Sequence, residues 1–90
     1  MTWFFGRSVN ERMLALQNRL LTAADDGRPL AERSAAHDPA PGIRRRALGI
    51  VALHWPDLRT TALLADRASD DSDPEVRALA TRLLDTARGQ

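Results

Sequence analysis

Apolar residues recur along the chain at steps of three and four, the spacing that lines one face of an α-helix. Val9, Met13, Leu16 and Leu20 form the first series. It is opened by Ser8-Val9-Asn10-Glu11, a capping-box pattern in which the Ser8 hydroxyl and Glu11 carboxylate satisfy backbone N–H groups at a helix start. Asp25-Asp26-Gly27-Arg28-Pro29 predicts a stop, Gly27 suiting a left-handed C-terminal cap and Pro29 a fresh first turn. A short helix is expected from about Pro29 to His37. Pro41 opens a third helix, with Ile43, Ala47, Ile50 and Val51 on its inner face. That helix should close at His54-Trp55-Pro56, because a proline disfavours helical geometry in the residue before it. A fourth is expected from about Pro56 to Ser69, with Leu58, Ala62 and Ala65 on one face and Leu63 and Leu64 alongside. Asp73 then suits an N-cap, Pro74 a first helical residue, and Glu75 the positive end of the helix dipole. The fifth helix carries Val76, Leu79, Ala80, Leu83 and Leu84 and frays at Arg88-Gly89-Gln90. No stretch alternates apolar and polar residues with the period of a strand. The expected fold class is all-α, with about five helices.

One phrase occurs twice. DPAPGIRRRA, residues 38–47, and DSDPEVRALA, residues 71–80, both read D-x-x-P-x-[I/V]-R-x-x-A, 33 residues apart. The match extends to Leu30/Leu63 and Ala35/Ala68, with apolar pairs at Ile50/Leu83 and Val51/Leu84. A helix-pair unit repeated at a fixed period is the mark of an α-solenoid, in which neighbouring units stack to share one core. Asp71-Ser72-Asp73-Pro74-Glu75-Val76-Arg77, followed by Ala80 and Leu84, resembles the HEAT-like repeat, particularly the short variety of phycobilisome-lyase-type repeat proteins. The resemblance covers roughly residues 28–88. In the first copy Ala40 and Gly42 replace the acidic pair, so its cap should be weaker. The resemblance implies a short right-handed superhelix of two to three helix pairs in a single domain, residues 1–90. Residues 1–27 would be an aromatic N-terminus plus a capping helix, and residues 28–54 and 55–90 the repeat region. It also implies that Asp38, Arg44, Asp71 and Arg77 hydrogen-bond between adjacent repeats as a structural ladder, and that the protein is a scaffold.

Composition narrows the chemistry. There is no cysteine, so disulfides, thiol nucleophiles and thiolate metal sites are excluded. All thirteen basic residues are arginine and tyrosine is absent, which removes Schiff-base lysine and tyrosine acid–base chemistry. The net charge of +1 gives no strong bias toward nucleic acid. No run approaches the roughly 20 apolar residues of a membrane span. The three-residue apolar run of MTWFFGR is too short for a signal peptide, so a cytoplasmic setting is expected.

The candidate residues are few. Asp70, Asp71, Asp73 and Glu75 suggest a divalent cation, but the EF-hand positions for glycine and the bidentate glutamate hold Val76 and Arg82. Capping and the ladder explain these acids better. His37 and His54 are the only histidines and lack convergent ligands, so no metal, cofactor or catalytic residue is assigned. Arg44-Arg45-Arg46 is the sharpest basic feature, three cations opposing a helix dipole. With Arg44 assigned to the ladder, Arg45 and Arg46 are expected to point outward, either solvated or able to bind phosphate or an acidic partner. HEAT-like repeats also build some DNA-alkylation-repair glycosylases, but this chain lacks their length and the charge excess and interleaved aromatics of a nucleic-acid binder. Trp3-Phe4-Phe5 holds three of the four aromatics and can serve as a staple over the first helix or as a partner or self-association surface. The expected function is a non-enzymatic protein–protein interaction module, an adaptor or small scaffold with homodimerisation possible. Phosphate or nucleic-acid binding through Arg44, Arg45 and Arg46 is the alternative.

Overall fold

The structure is a computed structural model that describes residues 8–14 and 24–89. The described residues form five helical segments and no strand, so the fold class is all-α. We number them α1 (residues 9–14), α2 (Ala24–His37), α3 (Pro41–His54), α4 (Leu58–Asp70) and α5 (Pro74–Ala87).

Local chemistry explains most helix ends. At α1 the Ser8 hydroxyl accepts the Glu11 N–H at 3.2 Å while the Glu11 carboxylate accepts the Ser8 N–H at 3.0 Å. Asp57 caps α4 by accepting the Thr60 N–H at 3.1 Å, so that helix starts past Pro56. Asp73 caps α5 through the Val76 N–H at 3.0 Å, with Pro74 and Glu75 in its first turn. The α3 start has Pro41 but no side-chain cap, because Ala40 occupies the capping position. At the far end of α5, Gly89 turns the chain with φ +85°, a value a side chain would resist.

One boundary departs from expectation. Asp25-Asp26-Gly27-Arg28-Pro29 lies inside α2, which begins at Ala24. Pro29 deprives the Asp25 carbonyl of its helical partner, one residue inside the helix, where the hydrogen-bond series has barely begun. Gly27 is buried within the helix and does not adopt the left-handed conformation of a cap.

The helices stack two deep. α2 packs along α3, α4 along α5, and α3 along α5, while α2 and α4 touch lightly. Ala31 and Ala35 of α2, Ala47, Leu48, Ile50 and Val51 of α3, Leu64 of α4, and Val76, Ala80 and Leu84 of α5 share one buried cluster. Its alanines let neighbouring backbones approach closely, and the branched residues fill between them. The register of 33 residues persists in the packing, since Ile43/Val76, Ala47/Ala80 and Val51/Leu84 are buried in both copies. It breaks at Leu48, fully buried in the core, whose counterpart Thr81 is exposed.

Candidate functional site

The most developed polar feature is a pair of buried ion pairs at the turns entering α3 and α5. Asp38 follows the end of α2. Its carboxylate accepts Arg12 Nε at 2.8 Å and Nη2 at 3.1 Å, and the Ala40 backbone N–H at 2.9 Å. Asp71 follows the end of α4 in the same way, accepting Arg44 Nε at 2.9 Å, Nη2 at 3.0 Å and the Asp73 N–H at 2.9 Å. Arg44 Nη1 donates back to the Asp38 carbonyl at 2.7 Å, so one guanidinium joins both turns. The Asp38 and Asp71 side chains are fully buried, and those of Arg12 and Arg44 are 6% and 10% exposed. Charges this deep persist only when their hydrogen bonds are filled, and here a planar fork meets a carboxylate whose remaining lone pairs take backbone N–H groups.

The two rungs differ in one neighbour. Arg67 adds Nη1 to Asp71 at 3.3 Å and to the Ala36 carbonyl at 3.3 Å. At the matching position of α2 stands Ser34, buried and with no hydrogen-bond partner for its Oγ. Arg77, the third arginine of the series, donates Nη1 to the Asp71 carbonyl at 2.7 Å and meets no carboxylate among the described residues.

Asp71 is also an acid-sensitive group, and a buried one. Burial pushes its pKa up, but hydrogen bonds from Arg44 and the Asp73 N–H, with the charges of Arg44 and Arg67, outweigh burial and hold it below the usual carboxylate value. A carboxyl depressed in the folded state favours folding at every pH above its unfolded pKa, about 3.9. That contribution disappears as pH falls through the folded value. Thermal unfolding should therefore have a flat midpoint from about pH 8 to about pH 5.5 and a falling one below about pH 4. Asp71→Asn should show a shallower acid slope, and a wild-type midpoint unchanged between about pH 6 and pH 3 would contradict this reading.

A second charged group joins the start of α4 to α2. Arg28 clamps Asp57 through Nη1 at 2.8 Å and Nη2 at 2.9 Å, and donates Nε to Glu32 at 2.9 Å. Arg59 reaches Glu32 from α4, and the Arg28 guanidinium carbon lies 5.8 Å from the Trp55 ring centroid. The Arg28 hydrogen bonds, then the Thr60 N–H, hold Asp57 far below the ordinary carboxylate range and raise Arg28 in return.

The other candidates separate. Of the basic cluster, Arg44 is buried in its rung, Arg45 pairs with Glu75 on α5, and Arg46 is exposed with no ion-pair partner among the described residues. Asp73 is a cap and Asp71 an ion-pair partner, so the acidic run points into the fold's own bonding. His37 and His54 are exposed at the ends of α2 and α3. Among the described residues no group of histidines and carboxylates is arranged to hold a metal ion. None of the helices there is long and apolar enough to cross a membrane. Trp3, Phe4 and Phe5 lie outside the described residues.

Between α3, α4 and α5 runs an apolar groove of about 490 Å³, lined mainly by Gly49, Ala52, Leu53, Pro56, Leu64 and Leu83. Leu53 is 75% exposed, and Leu58, next to Asp57 at the rim, is 88% exposed.

Arg12 and the groove are what sequence reasoning missed. Arg12 left no distinctive signal, because Arg-x-x-Ala at 12–15, 44–47 and 77–80 also occurs at 28–31, 33–36 and 59–62. The chain matches no known family model, no curated protein and no solved structure.

Proposed function

We propose that this chain is a protein–protein interaction module: a short solenoid of HEAT-like helix pairs acting as an adaptor or small scaffold, without catalytic chemistry of its own. The observation that carries this reading is the groove between α3, α4 and α5, where Leu53 of the lining stands in water, with exposed Leu58 next in sequence to the lining residue Asp57. Leucines left exposed around a concave apolar surface gain from burial by about 25 cal/mol per Å² covered. The polar residues meanwhile point inward. Asp38, Asp71, Arg12 and Arg44 are spent on joining turns, which supports a structural rather than a chemical role for the repeated motif. The motif's resemblance to HEAT-like repeats, whose members are mostly scaffolds, agrees with both points. A second copy of the chain or a different protein can fill such a groove.

Phosphate or nucleic-acid binding through Arg44, Arg45 and Arg46 has less support from the geometry. Two of those three guanidiniums are engaged by Asp71 and Glu75, leaving Arg46.

The test is a paired substitution, Leu53→Asp with Leu58→Asp. Both side chains are exposed, so stability should change by no more than about 1 kcal/mol. Partner capture from source-cell lysate, or a solution mass above the monomer, should be lost. Capture and mass that survive while the fold is intact would place the interaction elsewhere.

A further inference from the structure

The three arginines of the series do not end alike. Arg12 and Arg44 each present Nε and Nη2 to an aspartate carboxylate at 2.8–3.1 Å. Arg44 is steadied for this by Nη1, which donates at 2.7 Å to the carbonyl of the aspartate six residues before it. Arg77 makes the same steadying bond to Asp71, also six residues before it and also at 2.7 Å. Its Nε and Nη2 edge, the edge that holds a carboxylate in the other two, meets no acceptor among the described residues. The residue is half-buried, and the Nη1 bond fixes the direction of its guanidinium.

We infer that Arg77 is a docking fork for an aspartate carboxylate of a partner polypeptide, presented at a turn between two helices as Asp38 and Asp71 are presented within this chain. This rests on the interaction-module reading and names a contact for it. Charge complementarity selects the ligand, because a fixed guanidinium edge matches a carboxylate in two parallel hydrogen bonds. The surrounding face supports a recognition role for that bond. At the register where α3 buries Leu48, α5 exposes Thr81, and Ala78, Asp85 and the C-cap Arg88 of the same helix are exposed too. Such a face gives little apolar grip, so the ion pair must carry the selectivity. A second copy of this chain is a poor source of the carboxylate, since its Asp38 and Asp71 are already buried against Arg12 and Arg44.

The test reads the arginine Nε–H resonances of the wild-type chain by ¹⁵N–¹H correlation, with the Arg77 peak assigned by its loss in Arg77→Lys. Two probes are titrated: acetate, and a capped peptide copying residues 69–76, which carries the Asp71 turn. The Arg77 resonance should move saturably with acetate while that of exposed Arg46 drifts without saturating. The peptide should half-saturate Arg77 at about one-tenth of the acetate concentration, and its Asp71→Asn form, which keeps Asp70, Asp73 and Glu75, should bind no better than acetate. A response at Arg77 no larger than at Arg46 would overturn the fork. Acetate binding with no preference for the aspartate peptide over its asparagine form would overturn the partner turn as its occupant. Either failure is distinct from failure of the broader interaction reading, which the groove substitutions test at Leu53 and Leu58.

Discussion

Asp71→Ala is expected to lower the unfolding free energy by about 3–5 kcal/mol, the cost of breaking a buried ion pair by removing one partner. The side chain is fully buried, and its loss strands the Arg44 fork and one contact of Arg67 at once. It also leaves the Asp73 N–H without its 2.9 Å acceptor. At roughly 0.05–0.15 kcal/mol per residue, a 90-residue domain has about 5–13 kcal/mol in total, so this single change should bring it close to unfolding. Urea unfolding at neutral pH measures the loss, with Asp85→Ala as a comparison. Asp85 is exposed and should cost within about 0.5 kcal/mol. A loss below about 1 kcal/mol at Asp71 would mean that the rung relaxes into solvent when broken.

The second large effect belongs to Leu48. It is fully buried on α3 and belongs to the core cluster. Leu48→Ala removes three carbons from a fully buried position of the core. The expected cost is about 2–5 kcal/mol, set by how much of the cavity survives. Leu53→Ala, five residues on and 75% exposed, should change little, within about 0.5 kcal/mol. Equal losses at the two positions would show that α3 does not present Leu48 to the interior.

Helix ends were legible where one residue decides them. Pro41 and Pro74 open α3 and α5, Asp73 caps α5, and Trp55 before Pro56 closes α3. The start of α2 was not legible, because Gly27-Arg28-Pro29 carries the local chemistry of a stop while tertiary packing continues the helix through it. Of the rungs, Arg44 and Asp71 are both written in the repeated motif itself. Arg12 is not: its segment has the Arg-x-x-Ala half of the pattern without Asp-x-x-Pro, and its carboxylate partner lies 26 residues away. The Arg28–Asp57 clamp spans 29 residues and leaves no periodic trace at all. The groove could not be read from the chain because it forms only when the ends of α3 and α5 meet the start of α4.

The structural role given to the repeated Asp and Arg is tested most directly by a double-mutant cycle in urea at neutral pH. Its three variants are Arg44→Met, Asp71→Leu, and the two combined. Asp71→Leu leaves the Arg44 charge unpaired and Arg44→Met leaves Asp71 only the longer Arg67 contact, so each should cost about 3–5 kcal/mol, whereas the combined change puts apolar groups in place of both and should recover most of that loss. A coupling of at least about 2 kcal/mol is the predicted result. Single losses under about 1 kcal/mol that simply add would contradict it, and would return Arg44 and Asp71 to the surface as residues free for another task.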